Sequence, residues 1–170
     1  DFKLYEGGNG SELVVPSVDY TKGTVAEAIA AGAGKNYEVA ATVVAMHTQG
    51  ILIGDASGVM LAFLGEAPAV AVNDAVTVKG TTELRNGVIQ FGKEGLSVAK
   101  TGTGSYNTPA PEVMDGTAVT AYIATALENK AVYKSVKYHG EFTVSGNYYN
   151  VVIAGTTTKG SVAYGKSEWA

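Results

Sequence analysis

Cysteine is absent from the 170 residues, and histidine occurs only twice. The first absence removes disulfides, thiolate chemistry and every cysteine-based metal site. Charge is sparse at 16%, and basic residues are in the minority, with 12 Lys+Arg against 16 Asp+Glu. A formal charge of −4 and a pI near 5.1 exclude a strongly basic nucleic-acid clamp as the default reading. Long apolar runs are missing too. The longest uncharged stretches, Val39–Gly54 and Phe142–Thr158, are interrupted by Gln, Ser, Asn, Thr and Gly, and neither can span a bilayer. Leu, Lys and Glu, the residues of a helical bundle, are scarce.

What remains is 22 Gly, 22 Val, 17 Thr and 10 Tyr, the composition of short strands and tight turns. β-branched and aromatic side chains suit a pleated, half-buried surface, so a mostly-β fold is expected. The length serves one ordinary domain or two small ones and is enough for a real core. The chain opens at Asp1 without an initiator Met, so a processed or trimmed form is expected.

Residues 1–22 read as an N-terminal arm, with Leu13-Val14-Val15-Pro16 as an edge strand ended by a proline that cannot donate to a ladder. Thr24-Val25-Ala26-Glu27 is a capping box, hydroxyl at the cap and carboxylate three residues on, and Gly32 and Gly34 stop the helix it starts. Strand periodicity then takes over. Val39 to His47, Ile51 to Ile53 and Val59 to Leu64 read as a meander. Asp55 and Gly58 bracket its second turn, Asp bonding its own backbone and Gly taking positive φ. Ala75 to Gly80 follows. Asn86-Gly87 between Thr81–Arg85 and Val88–Phe91 is a strong hairpin signal, and Leu96 to Val98 is a candidate to close the set. A small closed barrel over 23–100 removes exposed edges; a sandwich of the same strands is the rival.

Residues 101–111 carry no charged side chain before Glu112 and read as a linker. Beyond it, in 112–170, the pattern restarts. Val119, Tyr122, Ile123 and Ala126 have helical spacing. Val132 to Val144 then reads as one long strand, Tyr148 to Ala154 as its return, and Gly160 to Tyr164 as a third strand. Helix, long strand, turn, strand, Gly and strand thus occur twice, but the second copy runs out after Tyr164. Truncation of a longer parent is the favoured explanation. Strands supplied by the arm, or by another molecule through self-association or a partner protein, are the alternatives, because an open ring leaves backbone groups unpaired.

Tyr37-Glu38-Val39 leading to Thr42-Val43, Gly50-Ile51-Leu52-Ile53, Asp55-Ala56-Ser57-Gly58-Val59 and Asn73-Asp74-Ala75-Val76-Thr77-Val78-Lys79-Gly80 together resemble an OB-fold. More narrowly, the pattern is similar to OB-like modules of exported lipoproteins and hypothetical proteins from gut bacteria. In those modules a strand ends in D-x-[ST]-G, and a later one is announced by G-D-x-V-x-V-x-G. Here Asn73 takes the place of that glycine, a mild change because Asn tolerates left-handed geometry. Glu141 to Val151 resembles the start of a second module. The resemblance implies a five-stranded OB-like Greek-key barrel, then a second, partial OB-like unit, each preceded by a short helix. It implies oligonucleotide or oligosaccharide binding on strands two and three, in an exported, periplasmic or cell-surface lipoprotein setting. The expected function is therefore a non-catalytic, nucleic-acid-binding module of the cell envelope, with a glycan- or protein-binding accessory module of a larger surface lipoprotein as the alternative.

No enzyme, metal or cofactor is expected. His47 and His139 fall late in the first strand of each copy, but without Cys or a carboxylate cluster they make a poor metal site. Asp55, Asp74 and Asp115 sit where turns are expected, and turn chemistry accounts for them better than acid–base work. Ser57 lacks a nucleophile-elbow context. Gly32-Ala33-Gly34-Lys35 follows a helix and lacks the rest of a phosphate loop. One constellation suggests a ligand: Lys137, Tyr138, Tyr148 and Tyr149, with Lys130, Lys134 and Tyr133 nearby, as tyrosine platforms beside lysines hold single strands or sugars. Adjacent Tyr148 and Tyr149 must face opposite ways in a strand, so at most one serves a ligand. The first unit's strands two and three offer Ile51, Ile53, Met60 and Phe63 with no basic residue close in sequence.

Overall fold

The computed structural model describes residues 17–146 and 148–161; the proposed edge strand at 13–16 and the end of the third strand at 162–164 lie outside them. The chain is mostly β. A short strand β1 (Thr21–Gly23) and helix α1 (Val25–Ala30) lead into β2 (Asn36–His47), β3 (Gly50–Asp55) and β4 (Gly58–Phe63). Strands β5 (Asp74–Arg85), β6 (Val88–Phe91) and β7 (Ser97–Thr103) follow. All seven strands belong to one sheet, and five of them close into a ring. β2 pairs with β3, β3 with β4, β4 with β6, β6 with β5, and β5 returns to β2. All the contacts are antiparallel except β4 with β6, where Ala62 faces Phe91 in parallel. Two stacked sheets are therefore excluded for this segment.

Local chemistry explains the corners. Thr24 accepts from the Glu27 N–H while the Glu27 carboxylate accepts from the Thr24 N–H at 2.8 Å, a complete capping box. Asn73 has φ +70, and Asn86 and Gly87 have φ +50 and +80, the left-handed pair a two-residue hairpin requires. The Asp55–Gly58 turn meets the sequence expectation at Asp55 and departs from it at Gly58. Gly58 is not among the described positive-φ residues, and the Asp55 carboxylate holds the turn by accepting from Ser57 N at 2.7 Å and Gly58 N at 3.2 Å.

Alternation points Val39, Val43, Ile51, Ile53, Met60, Ala62, Val76, Val78 and Phe91 into the ring, where all are essentially inaccessible to water. Val25 and Ala28 of α1 join the same cluster, so the helix shuts one end of it. Each such Val, Ile, Met or Phe side chain contributes about 1.5–3 kcal/mol by burial. Two expectations need correcting. Ala75–Gly80 and Thr81–Arg85 form one continuous strand that serves β2, β6 and β7. Leu96–Val98 does not close the ring: among the described residues β7 pairs only with the flank of β5, and it runs on to Thr103 through three residues read as linker.

The remainder contains β8 (Glu112–Val113), α2 (Gly116–Ala124) with a 3-10 turn over Thr125–Glu128, β9 (Val136–Lys137), β10 (Gly140–Ser145), β11 (Tyr148–Ile153) and β12 (Lys159–Ser161). The long strand read from Val132 to Val144 is broken. Residues 132–135 lie outside any described strand, although Ser135 O accepts from Glu112 N at 3.1 Å, and residues 138–139 separate β9 from β10. β8 runs parallel to β9 across α2, as β1 runs parallel to β2 across α1. β10, β11 and β12 form an antiparallel meander, and among the described residues no further strand joins it. Met114, Val119 and Ile153 make a small core beneath it, and Asp115 caps α2 by accepting from Ala118 N at 2.8 Å. No described helix is long and apolar enough to cross a membrane.

The two parts touch. Ala131 N donates to Gly87 O at 3.1 Å and forms a bridge with Val88, and a Cβ on Gly87 would run into the Ala126 carbonyl. Gly87→Ala therefore meets a left-handed penalty of about 1–2 kcal/mol together with that backbone obstruction. We expect faster proteolysis between residues 125 and 135 while the ring keeps its own unfolding transition. Unchanged cleavage would contradict the contact.

Candidate functional site

The structure does not gather the four sequence-selected residues on one surface. Tyr138 packs with Tyr122 and Val136 against the small second core. Tyr149 and Phe142 meet ring to ring, centroids 6.0 Å apart, on one face of the meander. Tyr148, 74% exposed, stands on the opposite face opposite Ser145, as strand alternation requires. Lys137 is exposed on the separate β8–β9 pair. Nearby, Lys134 is committed: its Nζ lies 2.6 Å from a Glu112 carboxylate oxygen and 4.7 Å from the Tyr122 ring centre. Lys130 pairs with Glu128 at 2.8 Å. His139 falls between β9 and β10, not late in a strand, and the described residues contain no cluster of three metal-ligating side chains.

The three aspartates have structural partners. Asp115 is a helix cap; Asp74 accepts from Ala71 N at 3.0 Å and pairs with Lys100 at 2.6 Å. Asp55 joins the β3–β4 turn to the helix, accepting from Val25 N at 2.9 Å, while Ser57 Oγ accepts from Ala26 N at 2.9 Å. Burial pushes the Asp55 carboxyl up, but the Ser57 hydroxyl and the N–H groups of Val25, Ser57 and Gly58 outweigh it and leave it below the usual value.

A more coherent site lies at the other end of the ring. A groove of about 590 Å³ opens between the β2–β3 turn and the β5–β6 turn. His47 ends β2 and Phe63 ends β4, and their rings meet edge to face with centroids 6.5 Å apart. His47 Nδ1 accepts from Gln49 N at 3.2 Å, which orients the ring and leaves Nε2 as its other polar atom. Leu61 forms part of the floor, and Arg85, Asn86, Gln90 and Lys93 add polar groups along the wall. Glu83 accepts from Gln90 Nε2 at 2.7 Å, and Glu94 lies 3.8 Å from Lys93. Two cations thus balance two carboxylates.

The sequence reading found no basic residue near Phe63 because Arg85 and Lys93 are distant along the chain. The β5–β6 hairpin brings them alongside. Of the four apolar residues named for strands two and three, Ile51, Ile53 and Met60 point into the core, and only Phe63 reaches the groove. The general signal was available in part: Arg85 immediately precedes the Asn-Gly turn, whereas His47 reaches the groove only because the bulge after Val43 reverses the alternation.

Set against protein-family models, curated proteins and solved structures, the chain matches none.

Proposed function

We propose that this chain is a non-catalytic binding module made of two OB-like units, the first complete and the second partial. In this reading its groove takes a short oligosaccharide. The ring order, one-two-three-five-four and back to one, supports the OB-like assignment of the first unit. The β–α–β arrangement followed by a meander supports a related origin for the second. In the OB class, ligands lie along strands two and three between the turns that join strands one–two and four–five. Here those turns flank the His47–Phe63 pair, and this is the observation that carries the reading. An aromatic edge and face beside amide and guanidinium donors suits stacking and hydrogen bonding to a sugar. The balanced charge of the groove and the −4 of the chain disfavour a phosphate backbone. The resemblance places such a module at the cell envelope, as an exported lipoprotein.

Oligosaccharide and oligonucleotide arrays, read at about 50 and about 200 mM salt, test the choice. We expect glycan binding that changes less than about twofold with salt. Phe63→Ala should weaken it about tenfold, the order of one lost stacking contact. Tyr148→Ala should leave it unchanged. Oligonucleotide binding that falls steeply between the two salts would overturn the oligosaccharide assignment and replace it with single-stranded nucleic acid.

A further inference from the structure

The outward face of β2–β3–β4 is partly roofed by the chain itself. The register of β2 shifts between Val43 and Ala45, so Val44 and Ala45 both escape the core and meet the side chains of Leu52 and Val59 on the outer face. Tyr106 and Pro109, in the connection after β7, cross above them, and Tyr133 closes the side. Gly54 lets this roof come down, since a Cβ there would lie 2.7 Å from the Tyr106 ring. The half-open cleft measures about 450 Å³. That is about three times the volume of an apolar cavity that accepts benzene.

We propose that this cleft is a second binding site, distinct from the groove at Phe63, for a neutral, flat ligand of about two fused rings. Apolar side chains dominate the walls, which favours ring faces over a hydrated chain. The one ion pair at the cleft, Lys134 with Glu112, is internally satisfied at 2.6 Å and offers no unpaired charge to a ligand. Tyr133 keeps its proton to higher pH than usual, first through burial and then through neighbouring Tyr122, and so presents a neutral hydroxyl. A carboxylate or ammonium entering here would lose its water without gaining a counter-charge.

Titration of the full chain with indole and with 2-naphthol, followed by methyl NMR, tests the site. The methyls of Val44, Leu52 and Val59 should shift together and saturate with a Kd of about 100 µM, the order set by about ten non-hydrogen ligand atoms. The anion 2-naphthoate should bind about tenfold more weakly, as an unpaired charge requires. Val59→Trp fills the space and should abolish the shifts at Val44 and Leu52, whereas Phe63→Ala should preserve them. Absence of saturable shifts at the three methyls, equal binding of 2-naphthoate, or retention in a folded Val59→Trp protein would overturn the proposal. If Val59→Trp does not fold, the methyl map and the naphthoate comparison on the unaltered chain decide. The Phe63→Ala result separates failure here from failure of the groove.

Discussion

Phe91→Ala is expected to destabilise the ring by about 3–5 kcal/mol, the cost of removing a large buried ring and leaving a cavity. Phe91 is fully buried, and its position in the ladders makes it a seam residue. Its Cα faces Ala62 in the single parallel pair that joins β4 to β6, and Thr82 in the antiparallel β5–β6 ladder. Deleting the ring therefore weakens both the core and the place where the strands close. Against a typical domain stability of about 5–15 kcal/mol, the loss is large enough to move the urea midpoint well down. Phe91→Leu, which keeps most of the volume, should cost less than half as much. A loss below about 1 kcal/mol for the alanine variant would show that closure at this seam contributes little.

Asp55→Ala comes next, at about 2 kcal/mol. Its carboxylate accepts from three backbone N–H groups on two elements, and also from Ser57 Oγ at 2.5 Å. Hydrogen bonds to a charged acceptor are worth about 1.5–3 kcal/mol each when one partner is removed; partial exposure here lowers the sum. The pH dependence follows from the lowered folded-state pKa. The contribution is fully present above the unfolded value of about 3.9 and is lost as pH falls through the lower folded value. Asp55→Asn keeps the shape without the charge. Denaturation of the two proteins between about pH 2 and 7 should show their difference shrinking below pH 4. A constant difference across that range would assign the effect to geometry alone.

Features set by a few neighbouring residues were legible in the sequence. The Thr24–Glu27 box, the Asn86-Gly87 hairpin and the left-handed Asn73 each depend on chemistry within four residues, and each stands where the sequence places it. Features set by pairing were not. The bulge after Val43 breaks strict alternation, so counting by twos from Val39 assigns Ala45 to His47 to the wrong faces. The strand read from Val132 starts only at Val136, beyond Ala131, which is held by Gly87 of the ring, a contact with no local sequence signature. The tyrosine–lysine cluster looked like a surface because its members are close in sequence. In the fold, Tyr138 goes to a core and Tyr148 and Tyr149 to opposite faces. The groove was hidden for the converse reason, since Phe63 and Arg85 are 22 positions apart by number and meet only once β4, β5 and β6 are assembled.

Backbone amide shift mapping, with the tightest array oligosaccharide added to the full chain, decides where a ligand sits. Perturbations should concentrate at His47, Phe63, Arg85, Gln90 and Lys93, with β10 to β12 silent. Perturbations centred on Tyr148 and its meander, or spread without a focus around the ring, would contradict a site at the groove.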